Sequence, residues 1–328
     1  MKTGVGGNSW SGGSAILAEL GTLQVEFRYL AHHTKNPALE AKCMKSLQLM
    51  NKRQPANGLF PIKIGIDNGN FADQTITFGA LGDSFYEYLL KLWLQGNKEE
   101  TWLRNMYDKS MEGAIKVLLQ KSSPSGLSYL SDWNGRSNVA KMDHLVCFMP
   151  GILALGAYTD PLGGPDSDNP RAKRDLDVAK ALMYTCYQMY ARQASGISPE
   201  YVEFRAGKDI VIGSTAPFYI LRPETAESLF VLSQLTKDPI YRDWSYEIFT
   251  NINKHCKTSY GFGALRDVSR PQAGVDDRME SFFLAETLKY LYMAQDPESA
   301  TYANLMDVVF NTEAHPLKNL KGHKPILP

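Results

Sequence analysis

The chain has 328 residues, 44% of them hydrophobic and 11% aromatic, enough apolar material to bury the core of one large or two ordinary domains. Its 35 basic and 35 acidic residues cancel, which excludes partners held by net charge, such as nucleic acid or an anionic membrane surface. No run of eighteen apolar residues and no signal-peptide core occurs, so the sequence as it stands carries no membrane span and no address.

In chain order, five segments share one form, an acidic residue near the start of a strongly apolar, aromatic-containing helix. They are LAELGTLQVEFRYL (Glu19, Glu26), GDSFYEYLLKLWL (Asp83, Glu87), KMDHLVCFMPGIL (Asp143, His144), RPETAESLFVL (Glu224, Glu227) and RMESFFLAETLKYLY (Glu280, Glu286). With Glu19, Asp83, Asp143, Glu224 and Glu286 as markers, the intervals are 64, 60, 81 and 62 residues, which is a repeat. Between markers lies a more polar amphipathic helix: NPALEAKCMKSLQLMNKR, KEETWLRNMYDKSMEGAIKVLLQK, KRDLDVAKALMYTCYQMYARQ and DPIYRDWSYEIFTNINKHC. Each is followed by a glycine and a short apolar stretch that reads as a turn or hairpin, at 58, 126, 196 and 261. A period of about 60 is too long for the common two-helix solenoids and fits helical hairpins with decorated loops. If the apolar helices ring an axis in parallel, their acidic starts gather at one face.

Acids in a first helical turn are ordinarily helix-end chemistry, since they complement exposed N–H groups, and Pro223 suits a first helical position. A recurrent set at one mouth adds something that end chemistry does not require. Mutual repulsion raises some carboxyl pKa values while a helix N-terminus lowers others, which separates a proton donor from a water-activating base, the pair that glycoside hydrolysis needs. A hard cation competes for the same carboxylates, and FNTEAHPL supplies Thr312 and Glu313 as oxygen donors. His144 has no second histidine at metal-ligand spacing and reads as packed or substrate-contacting. Cys147 sits in an apolar context and reads as buried. The four cysteines, at 43, 147, 186 and 256, form no zinc-type cluster and leave three pairings open if two bridges form. No phosphate-binding glycine loop and no Gly-x-Ser-x-Gly elbow is present. Phe282 and Phe283 are core-type residues, although an aromatic beside Glu286 also suits stacking on a sugar ring.

Five motifs in register, GDSFYEYLLK, KMDHLVCF, LRPETAESLF, SFFLAETLKYLY and VFNTEAHPL, resemble the class I α-1,2-mannosidases of glycoside hydrolase family 47, over about Thr3 to Leu317. The resemblance implies an all-α fold, an (α/α)7 barrel of helical hairpins with short β-hairpins in its loops, as a single domain over 1–328. It implies inverting, Ca²⁺-dependent removal of terminal α-1,2-linked mannose from high-mannose N-glycans on glycoproteins, in the Golgi or endoplasmic reticulum lumen. By the same resemblance Glu224 matches the general base and Asp83 the acid or its close partner. Thr312 matches the Ca²⁺ ligand, and Glu19, Glu87, Glu227, Glu286 and Glu313 match carboxylates that hold its waters or the sugar. Arg222, His144 and Phe282 match substrate-site residues, Phe282 by stacking, and Cys147 and Cys186 match a disulfide. Leu81 resembles Golgi-type and plant-type members, where the endoplasmic-reticulum type has Arg.

One departure from the family pattern stands out. The Phe-Glu-x-Thr-Ile-Arg segment, whose Glu is a candidate acid acting through a water, does not occur, and Met1 falls within what would be a family loop, KTGVGG. The expectation is a barrel lacking its first hairpins, with apolar helix faces uncovered and any membrane anchor confined to a longer form. Loss of a general acid typically costs about 10²–10⁴-fold in rate, so a hydrolytically silent, lectin-like glycan binder is the alternative function.

Overall fold

A helix that is predominantly apolar has to be enclosed by protein, and three helices of this chain are buried along most of their length. The computed structural model describes residues 11–296 and 298–323. The KTGVGG stretch lies outside the described residues. The described residues form two compact units, one drawn from 11–119, 131–139 and 306–323, the other from 120–130 and 140–305. Among them, no helix is long and apolar enough to cross a membrane.

In the first unit the helices are α1 (Leu17–Gly21), α2 (Gln24–Thr34), α3 (Pro37–Lys52), α4 (Asp83–Gln95) and α5 (Thr101–Gly113). The pairs α2/α3 and α4/α5 are hairpins of an apolar and a polar member, and α4 packs on α1 and α2 as well as on α5. Helix α4 is buried from Phe85 to Gln95. A single helix was expected over 17–30, but the chain breaks at Thr22, whose hydroxyl bonds back to the Ala18 carbonyl and also meets Ser84 Oγ at 2.8 Å. That break separates α1 from α2, both of which pack on α4.

The second unit holds α6 (Met149–Tyr158), α7 (Pro170–Ala191), α8 (Glu224–Thr236), α9 (Ile240–His255) and α10 (Lys289–Gln295). Here α6/α7 and α8/α9 are the hairpins, and the apolar members α6, α8 and α10 also pack on one another, with α8 in contact with both of the others. Close approach of α6 and α8 depends on Gly151: a Cβ there would stand 3.1 Å from Ser228 Oγ, which accepts the Gly151 N–H at 2.9 Å. The expected helix over 141–153 is shorter. Residues Lys141–Asp143 form a strand paired with Tyr201–Glu203, and His144–Phe148 is a 3₁₀ helix before α6. Pro150 accounts for this, because a proline has no N–H to donate and its ring clashes with an α-helical carbonyl four residues back.

The glycines that follow the polar helices at 58, 126 and 196 all have positive φ, from 67° to 76°, a conformation that side chains disfavour. They turn the chain from each polar helix into a short strand or loop. The all-α class with small hairpins read from the sequence is the one observed.

Candidate active site

Each unit gathers part of the carboxylate set. In the second unit α8 opens with Glu224, after Leu221 has turned the chain through a left-handed φ of 68°. Leucine disfavours that conformation, and the turn is held by Thr287 Oγ1, which donates to the Leu221 carbonyl at 2.6 Å. Glu224 is therefore tied to the helical segment that bears Glu286.

Around Glu224 the contacts are specific. His144 Nδ1 donates to Glu224 Oε2 at 2.7 Å, and its Nε2 meets Tyr190 Oη at 2.6 Å and Thr225 Oγ1 at 3.2 Å. Tyr190 in turn hydrogen-bonds Tyr219, whose hydroxyl donates to the Arg222 carbonyl at 3.0 Å. His144 is 1% exposed, whereas the Glu224 side chain keeps 14% of its surface open, so water can reach the carboxylate but not the ring that holds it. Arg222 Nη1 lies 3.9 Å from Glu224 Oε1, and its Nε donates to both oxygens of Glu200 at 2.8 and 2.9 Å. Burial by itself would raise the Glu224 pKa, but the His144 hydrogen bond and the electrostatic attraction of His144 and Arg222 outweigh it and hold the carboxyl below its ordinary value. Burial would likewise favour a neutral Arg222, and the Glu200 and Glu224 carboxylates reverse that and keep it cationic.

Glu286 is buried, in a π-helical stretch, Phe283–Leu288, that precedes α10. Such single-turn π segments are frequent at functional sites because the extra residue re-aims a side chain. Phe283 is core, packed on Phe262 with ring centroids 4.8 Å apart, while Phe282 is half-buried beside it. Glu227 lies one turn into α8 and is half-buried. Cys147 and Cys186, the pair the resemblance implied, form a disulfide with Cα atoms 5.9 Å apart, pinning the 3₁₀ turn that carries His144 to α7, which carries Tyr190. Cys43 and Cys256 are free.

In the first unit Asp83 starts α4, half-buried, with its Oδ1 accepting the Ser84 N–H at 2.9 Å. Leu81, just upstream, has φ 78°, and its carbonyl accepts from Ala18 N at 3.0 Å, which brings the start of α1, with the exposed Glu19, against the start of α4. Glu87 is buried and ion-paired with Lys91. Thr312 lies in the turn between strands Val308–Phe310 and Pro316–Lys318, and its N–H donates to Tyr88 Oη at 3.2 Å. Tyr88 donates to Glu26 Oε1 at 2.6 Å. Burial, with the Glu26 and Glu87 carboxylates nearby, raises the Tyr88 pKa far enough that it remains a donor. Glu313 is exposed, its N–H bound to Asn311 Oδ1 at 3.1 Å.

Whether these residues suit a hard cation turns on Thr312. Among the described residues neither its hydroxyl nor its carbonyl oxygen makes a hydrogen bond, so two oxygen donors of one residue are open. No group of three or more His, Cys, Asp or Glu side chains poised for a metal occurs among the described residues. A cation at Thr312 would thus take oxygen from this residue and fill its shell with water, a set that suits Ca²⁺ and does not suit a soft metal.

Sequence reasoning missed Glu200, Tyr190, Tyr219, Thr225, Tyr88 and Asn311 as parts of these networks. Glu200 and Asn311 had a weak local signal, a polar residue beside an aromatic or in the NTEAH turn. Tyr190 had none, because it lies in a polar partner helix where only long-range packing reveals its role.

Comparison with known proteins shows the family. The chain is 45% identical over 98% of its length to a mannosyl-oligosaccharide 1,2-alpha-mannosidase of Arabidopsis thaliana, covering 55% of that protein. It is 38% identical over 97% of its length to the human mannosyl-oligosaccharide 1,2-alpha-mannosidase IC, covering 49% of it. The chain therefore spans about half the length of the curated relatives it matches. Among solved structures, the alpha-1,2-mannosidase of Trichoderma reesei superposes with a TM-score of 0.85 at 29% identity, over 94% of this chain and 66% of that one. The family model of glycosyl hydrolase family 47 matches residues 1–319, and the chain belongs to that family.

Proposed function

We propose that this chain carries the machinery for inverting, Ca²⁺-dependent hydrolysis of terminal α-1,2-linked mannose from high-mannose N-glycans. The observation that carries the reading is Glu224, a carboxylate kept ionised by His144 at 2.7 Å and still open to water. Its Oε2 is taken by the His144 N–H, which leaves Oε1, on the Arg222 side, to accept a proton from water. The water oxygen then bonds the anomeric carbon as the glycosidic bond breaks, and the departing oxygen takes a proton from an acid, the role assigned to Asp83 or its close partner. A base that activates water, without itself bonding the sugar, gives inversion. Glu19, Glu87, Glu227, Glu286 and Glu313 hold water or sugar hydroxyls, and Phe282 offers a ring face to the hexose. When bound at Thr312, Ca²⁺ supplies a positive charge that offsets the carboxylates and orients hydroxyls and water. The Cys147–Cys186 bridge supports work in an oxidising lumen, the Golgi or endoplasmic reticulum, with Leu81 favouring the Golgi type.

The test is release of mannose from an α-1,2-mannobiose and from a high-mannose N-glycan, with and without chelator, by the wild type and by Glu224→Gln. Chelator-sensitive release that Glu224→Gln lowers about 10²–10⁴-fold supports the proposal. Glycan binding with no turnover, unchanged by Glu224→Gln, would instead establish the lectin-like alternative, and neither release nor binding would defeat both.

A further inference from the structure

Calcium affinity depends on how firmly the two Thr312 oxygens are presented, and the first unit contains a device that addresses this. Asn311 is 6% exposed and works in two directions. Its Oδ1 accepts the N–H groups of Glu313 at 3.1 Å and His315 at 2.7 Å, closing the turn from inside, with Ala314 at φ 57°. Its Nδ2 donates to Glu26 Oε1 at 2.8 Å. The same Glu26 oxygen accepts Tyr88 Oη at 2.6 Å, and the Tyr88 oxygen, its proton thus committed, accepts the Thr312 N–H at 3.2 Å. Glu26 is fixed on α2 and Tyr88, fully buried, on α4, so two helices hold adjacent residues of one turn through one carboxylate oxygen. The second oxygen, Glu26 Oε2, is buried without a hydrogen-bond partner. A buried acceptor left unpaired costs stability, so a carboxylate at this place is not explained by stability alone. A charged acceptor strengthens and orients the bonds that converge on it, and it polarises Tyr88 toward the Thr312 amide.

We propose that Glu26 is a positioning residue for Thr312, acting through Tyr88 and Asn311 to fix the threonine whose hydroxyl and carbonyl take the calcium ion. The proposal rests on the reading of Thr312 as that ligand. Residues of this kind, one shell behind a metal ligand, typically change metal affinity about 10–100-fold when replaced.

The experiment measures Ca²⁺ binding by titration calorimetry, and the rise in melting temperature on adding Ca²⁺, for wild type, Glu26→Gln, Tyr88→Phe and Thr312→Val. Expected is wild-type binding that Thr312→Val abolishes and that Glu26→Gln and Tyr88→Phe weaken about 10–100-fold, with mannose release by these two recovering at saturating Ca²⁺. Wild-type binding that is matched by both Glu26→Gln and Tyr88→Phe overturns the positioning role and leaves the Thr312 reading standing. Wild type that binds no Ca²⁺, or that binds it equally well as Thr312→Val, overturns the Thr312 reading and the inference with it. Should Glu26→Gln fold poorly, Tyr88→Phe, which removes a single oxygen, decides the matter. A drop in melting temperature that is the same with and without Ca²⁺ in both variants marks a purely structural role and overturns the proposal.

Discussion

His144 Nδ1 stands 2.7 Å from Glu224 Oε2, so the carboxylate read as the base is oriented by a buried imidazole rather than by solvent. This has a consequence for pH. The Glu224 carboxyl is held below its ordinary value, so activity that needs it ionised is retained as pH falls and is lost only when pH passes that lowered value. In His144→Ala the hydrogen bond to the carboxylate is gone while burial remains, and burial favours the protonated form. The acid limb of the kcat/KM profile should move to higher pH, with a loss of about 10²-fold near pH 6. Tyr190→Phe, which removes one of the two partners of His144 Nε2 and the bond to Tyr219, should cost about tenfold or less. A pH profile in which the limb stays in place for His144→Ala would refute the assigned role.

Much of this was legible in the sequence for a local reason. The runs that became α4, α6 and α8 are predominantly apolar, and a chain with a small polar residue or proline ahead of each run can do little else but bury them as helices. Glu224 and Asp83 stood out as candidates because each opens one of those runs, and Thr312 because it lies in the FNTEAHPL segment. The Glu26–Asn311 bond was not, because it joins residues 285 positions apart and no periodicity encodes such a pairing. Nor were the π-helical stretches Ala114–Leu118 and Phe283–Leu288, since one extra residue in a turn leaves the pattern of apolar positions nearly unchanged. The break at Thr22 was missed for a similar reason: apolar residues continue through it, and only the hydroxyl's bond to Ala18 marks the stop.

Arg28 is fully buried between two carboxylates, with Nε at 2.8 Å from Glu40 and Nη2 at 2.8 Å from Glu100, and it also donates to the Leu92 carbonyl at 2.9 Å. The two acids respond differently. Burial would raise Glu40, but His323 and Arg28 bring it below its ordinary value, whereas burial of Glu100 prevails over Arg28 and leaves it raised. Arg28→Met strands both carboxylates in the interior and should destabilise by about 3–5 kcal/mol. Urea titration measures this, and Arg28→Met combined with Glu40→Gln and Glu100→Gln should recover part of the loss.

Cys147 and Cys186 are 39 residues apart in sequence, and bridging them restricts the unfolded chain. Loop-closure entropy for that length corresponds to about 3–4 kcal/mol, so Cys147→Ser with Cys186→Ser should melt well below the wild type. Reductant should lower the wild-type melting temperature and leave the double variant unmoved. The free thiols give a complementary check. Burial pushes Cys43 up to about 11 and Cys256 up to about 12, so in the folded protein both should alkylate slowly at pH 8 and react freely only in denaturant.

Asp209 fastens the Ser122–Ser125 loop to Arg192, the residue that caps the end of α7. Its Oδ1 accepts the Ser125 N–H at 2.9 Å and the Ser122 hydroxyl, and its Oδ2 accepts the Ser125 hydroxyl and meets Arg192 Nη1 at 3.3 Å. Burial would raise its pKa, but the serine donors and Arg192 overcome this and hold the carboxyl far below its ordinary value. Because the folded value lies below the unfolded one, the stabilisation is fully present above about pH 4 and is lost as pH falls toward the folded value. Asp209 has φ 52°, which asparagine tolerates, so Asp209→Asn removes the charge without forcing the backbone. The variant should unfold at lower urea than wild type at pH 7 and pH 5, and the gap should narrow at pH 3. A gap of constant size across that range would mean that the loop is held by shape and neutral hydrogen bonds rather than by the carboxylate's charge.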